Sequence, residues 1–143
     1  MEKKPGKKEF RLPSDLAEVQ KASAKVLEFL KPLSLGEGCL FDVRLCLEEA
    51  LINAMKYGNR LKKEIPVRLE VEVDGGELRL TVEDQGEGFD VARLKDCTKK
   101  DNLLRNSGRG VYLIHQLMDR VQYNSKGNCL VMAKKLPSHA GKH

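Results

Sequence analysis

The sequence predicts an α+β protein, a two-layer sandwich in which a mostly antiparallel mixed sheet is covered by helices on one face. Three observations lead there. Val67, Leu69, Val71 and Val73 alternate with polar residues, Leu78, Leu80 and Val82 repeat the pattern beyond Asp74-Gly75-Gly76, and a second pair of short runs flanks residues 124–128. Between these hairpins and ahead of them lie stretches with helical spacing, about 15–30, 39–57 and 110–118. The hairpin positions that are not apolar are largely charged, so one sheet face is core and the other meets water.

Taken in order, residues 9–12 form a short strand, and Pro13-Ser14-Asp15 starts a helix with Asp15 as cap and Glu18 closing a capping box. Leu16, Val19, Ala22, Val26, Phe29 and Leu30 keep the helical period to about residue 30, where Lys31-Pro32 ends it. The second helix spans about 39–57 and closes on Gly58, a natural left-handed stop. Two strands joined by the Gly75-Gly76 turn follow, then residues 91–107, cationic and without a firm period. A helix over about 110–118 and the hairpin 120–123 and 129–134 complete the pattern. One domain over 9–136 accounts for the chain, with a basic tail at 1–8, a second tail at 137–143, and no internal repeat.

Composition narrows the function class. The net charge is +5, but Lys3, Lys4, Lys7 and Lys8 against Glu2 place +3 of it in the first eight residues, and the rest is nearly balanced. With no Trp and few aromatics to stack bases, nucleic acid is not an expected partner. Cys39, Cys46, Cys97 and Cys129 show no C-x-x-C spacing and read as reduced thiols. No apolar run approaches about 18 residues and no signal peptide is visible, so a cytoplasmic protein without membrane contact is expected.

Three segments carry more than packing requires. On the second helix, Asp42, Glu49, Asn53 and Lys56 fall within a narrow arc opposite Val43, Leu47, Ala50, Leu51, Ala54 and Met55. That stripe is either a solvated face or the rim of a pocket. Asp84-Gln85-Gly86-Glu87-Gly88-Phe89 follows a strand; it reads as a turn, or as bare backbone for a flat ligand with Asp84 accepting from an exocyclic amine. Ser107-Gly108-Arg109-Gly110, at the start of the following helix, reads as an N-cap or an anion site. The Asn53 amide opposite a phosphate suits Mg²⁺, which takes few protein ligands, and Lys56 one turn on can neutralise a phosphate. Asp42 has no assigned role.

In order and spacing, Glu49-x-x-x-Asn53-Ala54-x-Lys56-Tyr57-Gly58, Asp84-x-Gly86-x-Gly88-Phe89 and Gly108-x-Gly110 resemble the N, G1 and G2 boxes of the GHKL ATPase superfamily. Size and the lack of an attached domain look most like the anti-sigma factor serine/threonine kinases of bacterial partner-switching systems. The resemblance implies a Bergerat fold and ATP with Mg²⁺ as cofactors. Asp84 would bind the adenine amino group, and Gly86, Gly88 and Phe89 would shape the base pocket. Asn53 would hold Mg²⁺; Lys56, Ser107, Gly108, Arg109 and Gly110 would face the phosphates under a lid at about 91–107. Glu49, four residues before the box asparagine, would be the catalytic general base. It further implies a sigma factor and a STAS-type anti-anti-sigma protein as partners, and a homodimer. Lys56-Tyr57 is closer to the histidine-kinase version of the N box. Competing functions are therefore a histidine-kinase ATP-binding domain working on a separate chain, since His115, His139 and His143 offer no phosphoacceptor helix, and a non-catalytic ATP-dependent binding module.

Overall fold

The computed structural model describes residues 6–85, 106–124 and 128–137, with the backbone alone for 106–109. Strand β1, Lys7–Leu12, leads into helix α1, Ala17–Leu30, and a 3₁₀ turn, Lys31–Leu33. Helix α2, Glu37–Asn53, continues as a π-helical turn, Ala54–Gly58. Strands β2, Val67–Asp74, and β3, Glu77–Glu83, form the first hairpin; helix α3, Asn106–Leu117, then precedes β4, Arg120–Tyr123, and β5, Cys129–Lys135.

The sheet order is β1-β2-β3-β5-β4. All four pairings are antiparallel, in line with the expected mostly antiparallel sheet, and no parallel pair occurs among the described strands. The reason lies in one crossover. After β3 the chain returns through α3 to lay β4 at the sheet edge, and the hairpin then inserts β5 between them, so the co-directional strands β3 and β4 never touch. Gly75 and Gly76 take φ of 61° and 80° in the two-residue turn, the left-handed pair that a twisted hairpin demands.

Period-two patterning divides the sheet. Val67, Leu69, Val71, Leu78, Leu80, Val82, Leu130 and Met132 are buried with Val26, Leu30, Val43, Leu47, Leu51 and Met55 of the helical layer in one core. The opposite face carries ion pairs in strand register: Arg68 bridges Glu70 (2.8 Å) and Glu83 (2.9 Å), while Arg79 bridges Glu72 (2.9 Å) and Glu77 (3.2 Å). Such pairs add little stability each, but they keep a polar face on a sheet that would otherwise attract another apolar surface.

Three boundaries differ from expectation. Strand β1 begins at Lys7 inside the presumed tail, held by Lys7 to Glu70 at 3.4 Å and by Lys8 over the Phe10 ring at 5.6 Å. The capping box is not formed. The Glu18 N–H goes to the Asp15 carbonyl at 2.8 Å, so the Asp15 side chain takes the Ala17 N–H at 3.0 Å and Glu18 turns to Lys21 at 3.6 Å. Gly58 is not a left-handed stop; the positive φ values fall on Arg60 (55°) and Leu61 (57°), after the π-helical turn.

Within α1, Ser23 is 1% exposed and, among the described residues, its hydroxyl has no hydrogen-bond partner. An unpaired buried hydroxyl costs about 1–3 kcal/mol. Ser23→Ala is accordingly expected to raise the thermal midpoint by about 2–4 °C, as read by calorimetry; a lower midpoint would mean that the hydroxyl is satisfied in solution.

Candidate functional site

Helices α2 and α3 pack side by side on the sheet, and the polar stripe of α2 opens towards the start of α3. Glu49, Ile52 and Asn53 of α2, Lys56 and Tyr57 of the π-helical turn, and Gly110 and Leu113 of α3 line a cleft of about 380 Å³. Their placement follows from helical spacing: Glu49, Asn53 and Lys56 recur at four and three residues, and the same helix buries Val43, Leu47, Ala50 and Leu51 on its other side. The stripe is the wall of a pocket, not a solvated face.

Behind Asn53 lies a narrower recess of about 20 Å³, with Ala50, Ala54, Val82, Asp84, Tyr123, Asn128, Cys129 and Leu130 around it. Asn53 lines both spaces. Asp84, 4% exposed, stands just past the end of β3. Its N–H donates to the Asn128 carbonyl (2.9 Å), and its own carbonyl accepts from Asn128 Nδ2 (2.9 Å).

Two glycines of the expected boxes owe their place to carboxylates. A Cβ on Gly58 would overlap the Asp84 carboxylate, which is why the residue closing the π-helical turn has no side chain. A Cβ on Gly110 would overlap Glu49 Oε1 and lie 3.3 Å from Glu49 Cδ and 3.6 Å from Asn53 Nδ2. Helix α3 starts at Asn106, upstream of the expected 110, so Gly110 is an internal helix position. Glycine there costs about 1 kcal/mol relative to alanine. The room it leaves for Glu49 offsets that cost.

The structure thus brings Glu49, Asn53, Lys56 and Gly110 into one cleft and Asp84 into the adjoining recess. Ser107, Gly108 and Arg109 are placed only through the backbone of the first turn of α3. Gly86, Gly88, Phe89 and residues 91–105 of the expected lid lie outside the described residues, as does Cys97. Asp42, on the same stripe, turns away from the cleft. It sits 3.8 Å from Lys134 Nζ, which also donates to the Leu117 carbonyl (3.0 Å) at the end of α3. Burial pushes the Cys46 thiol up to about 12, with the Asp42 carboxylate adding to the shift, and burial raises Cys39 and Cys129 as well. These thiols stay protonated at neutral pH and supply no nucleophile. His115 sits on the exposed side of α3.

Sequence reading missed Tyr57 and Leu113 as cleft walls and Asn59 and Asn128 as supports. The one local signal was an asparagine directly after Gly58.

A family model described as a histidine kinase-like ATPase domain matches residues 12–134. The chain belongs to that family. As a histidine kinase-like ATPase domain it binds ATP. It is 35% identical over 119 residues to the anti-sigma F factor of Clostridium kluyveri, an alignment covering 79% of this chain and 82% of that protein. To the serine-protein kinase RsbW of Staphylococcus epidermidis it is 31% identical over 101 residues, covering 65% of this chain and 64% of the relative. Among the described residues, no helix is long and apolar enough to cross a membrane.

The two glycines respond differently to a methyl group. In Gly58→Ala the new Cβ meets a short buried side chain that cannot swing away, and a loss of about 1–3 kcal/mol in urea unfolding is expected. In Gly110→Ala it meets the mobile end of Glu49 while helix propensity improves, so stability is expected to hold or rise. Equal losses in both variants would contradict this account.

Proposed function

We propose that this chain is an ATP-dependent protein serine/threonine kinase and an anti-sigma regulatory factor, which phosphorylates a STAS-type anti-anti-sigma partner and sequesters a sigma factor. The observation that carries the reading is the placement of Glu49 one helical turn before Asn53 in the same cleft, with Gly110 leaving room for its carboxylate. A non-catalytic ATP-dependent binding module has no use for a general base at that point. The names of the relatives, anti-sigma F factor and serine-protein kinase, support the same reading.

In the proposed reaction, Glu49 accepts the proton of an incoming serine hydroxyl as its oxygen bonds to the γ-phosphorus of ATP. The bond from that phosphorus to the β,γ-bridging oxygen breaks, and ADP leaves. Asp84 receives the adenine amino group from within its buried recess, and Lys56 at the cleft edge balances phosphate charge. Asn53 and Glu49 line the same cleft, and an amide oxygen and a carboxylate are hard donors of the type that Mg²⁺ prefers. Asn53 would hold that ion, which when bound supplies charge neutralisation at the phosphates. Among the described residues no group of three or more His, Cys, Asp or Glu side chains could hold a metal, consistent with an ion that takes most of its ligands from phosphate and water. Gly86, Gly88 and Phe89 complete the base pocket in this reading, and Ser107, Gly108, Arg109 and Gly110 face the phosphates. The chain works as a homodimer in the cytoplasm.

Transfer of radiolabelled phosphate from ATP to a serine-bearing STAS partner tests the assignment. Glu49→Gln is expected to slow transfer by about 10²–10⁴-fold with ADP affinity unchanged in calorimetry. Transfer at the wild-type rate would remove Glu49 as base, and label on a histidine would move the chain to the histidine-kinase reading. Asn53→Ala is expected to abolish the Mg²⁺ dependence of ATP binding, and its persistence would place the ion elsewhere.

A further inference from the structure

Just past β3, the Asp84 N–H keeps one more rung of the β3–β5 pairing, on the Asn128 carbonyl, but the Asn128 N–H turns to Asn124 Oδ1 and does not return the bond to the Asp84 carbonyl. Three successive main-chain groups there are held by two asparagines from opposite sides. The Asp84 N–H and carbonyl are both bonded to Asn128, by its carbonyl and its Nδ2 at 2.9 Å each. The next N–H, that of Gln85, donates to Asn59 Oδ1 at 2.8 Å. The peptide unit on the N-terminal side of the Asp84 Cα is thereby tied to Asn128, and the unit on its C-terminal side to both Asn128 and Asn59, so the β4–β5 hairpin and the segment leaving α2 together hold the main chain there.

Asn59 is built for a fixed orientation. It is 2% exposed, and its Nδ2 donates towards Ser14 Oγ (3.0 Å), the Ile65 carbonyl (3.1 Å) and the Pro66 carbonyl (3.2 Å). With the Ile65 and Pro66 carbonyls at the nitrogen and the Gln85 N–H at the oxygen, reversing the amide would break those three bonds. Its neighbour Gly58 touches the Asp84 carboxylate. The same stretch of chain therefore supplies the space for the side chain and the anchor for the backbone behind it.

We propose that Asn59 and Asn128 are positioning residues that set the nucleobase selectivity of the site by fixing the main chain on either side of Asp84. The inference rests on Asp84 as the group that reads the base. Neither asparagine touches the nucleotide in this scheme. A carboxylate that reads an exocyclic amine discriminates adenine from guanine only while its direction is held, because guanine presents a carbonyl where adenine presents the amine. Released on one side, Asp84 can turn to other donors and the preference narrows.

The test is calorimetric titration of the full chain with ADP and with GDP, alongside thermal unfolding, for wild type, Asn59→Ala, Asn128→Ala, Ser14→Ala and Asp84→Asn. Asn59→Ala and Asn128→Ala are each expected to narrow the ADP-over-GDP preference by about tenfold, the loss of one well-oriented hydrogen bond. Ser14→Ala, which leaves Asn59 bonded to the Ile65 and Pro66 carbonyls, is expected to lower the melting temperature and keep the preference. That separates positioning from mere stability. Asp84→Asn is expected to abolish the preference; if it does not, the base-reading role fails. If Asp84→Asn abolishes it while the asparagine variants keep the wild-type ratio, the positioning role alone is overturned. Should Asn59→Ala not fold, Asn128→Ala, altered in a half-buried hairpin residue, decides the question by itself.

Discussion

The contact between Gly58 and the Asp84 carboxylate sets the tolerance for the rest of the molecule. A helix end and a strand end meet there without room for a methyl group, so α2 must dock on the sheet at one height and one angle. That docking is enforced by Leu47, Leu51 and Met55 beneath the helix and by Leu69, Leu80 and Val82 on the sheet, all buried in one close-packed core. Shifting the helix by a fraction of a turn would drive backbone into the carboxylate or open a void beneath it. The cleft then follows, because the face of α2 opposite that core is the one carrying Glu49, Asn53 and Lys56.

The π-helical turn belongs to the same constraint. The Asn59 N–H reaches back to the Ala54 carbonyl (2.9 Å) and the Leu61 N–H to Met55 (2.7 Å), so the helix end widens where it approaches β3. Widening brings Asn59 inward onto Ser14, Ile65, Pro66 and Gln85 and places Arg60 and Leu61 in the left-handed region. Two non-glycine residues in that region cost about 1–2 kcal/mol each. The buried asparagine network compensates in part. A plain helix closing on a left-handed glycine would spare that cost but leave Asp84 without its support.

Much of this fold was legible in the sequence because its causes are local. Alternation in residues 67–83 and the Gly75-Gly76 turn reflect sterics within a few residues, and the observed hairpin agrees with them. The same holds for the polar stripe of α2, whose members are brought together by helical repeat alone. What escaped had distant causes. Lys7 joins β1 because Glu70 lies across the sheet, and Asp42 leaves the cleft because Lys134 and the end of α3 stand beside it. The missing capping box is the local exception: the Asp15 carbonyl, three residues back, takes the Glu18 N–H in place of the Asp15 side chain.

For the site, the sequence by itself determined which chemical groups are present and which of them share a helix face: a carboxylate, an amide and an ammonium at spacings of four and three. It also placed an aspartate at a strand end and glycines near both. Only the tertiary structure decided what those glycines are for. Gly58 and Gly110 looked like helix punctuation, and they are gaps filled by carboxylates that lie 26 and 61 residues away in the chain. Local pattern registers the absence of a side chain; the atom occupying its place is set by how helix, sheet and second helix pack, and no periodicity encodes that distance.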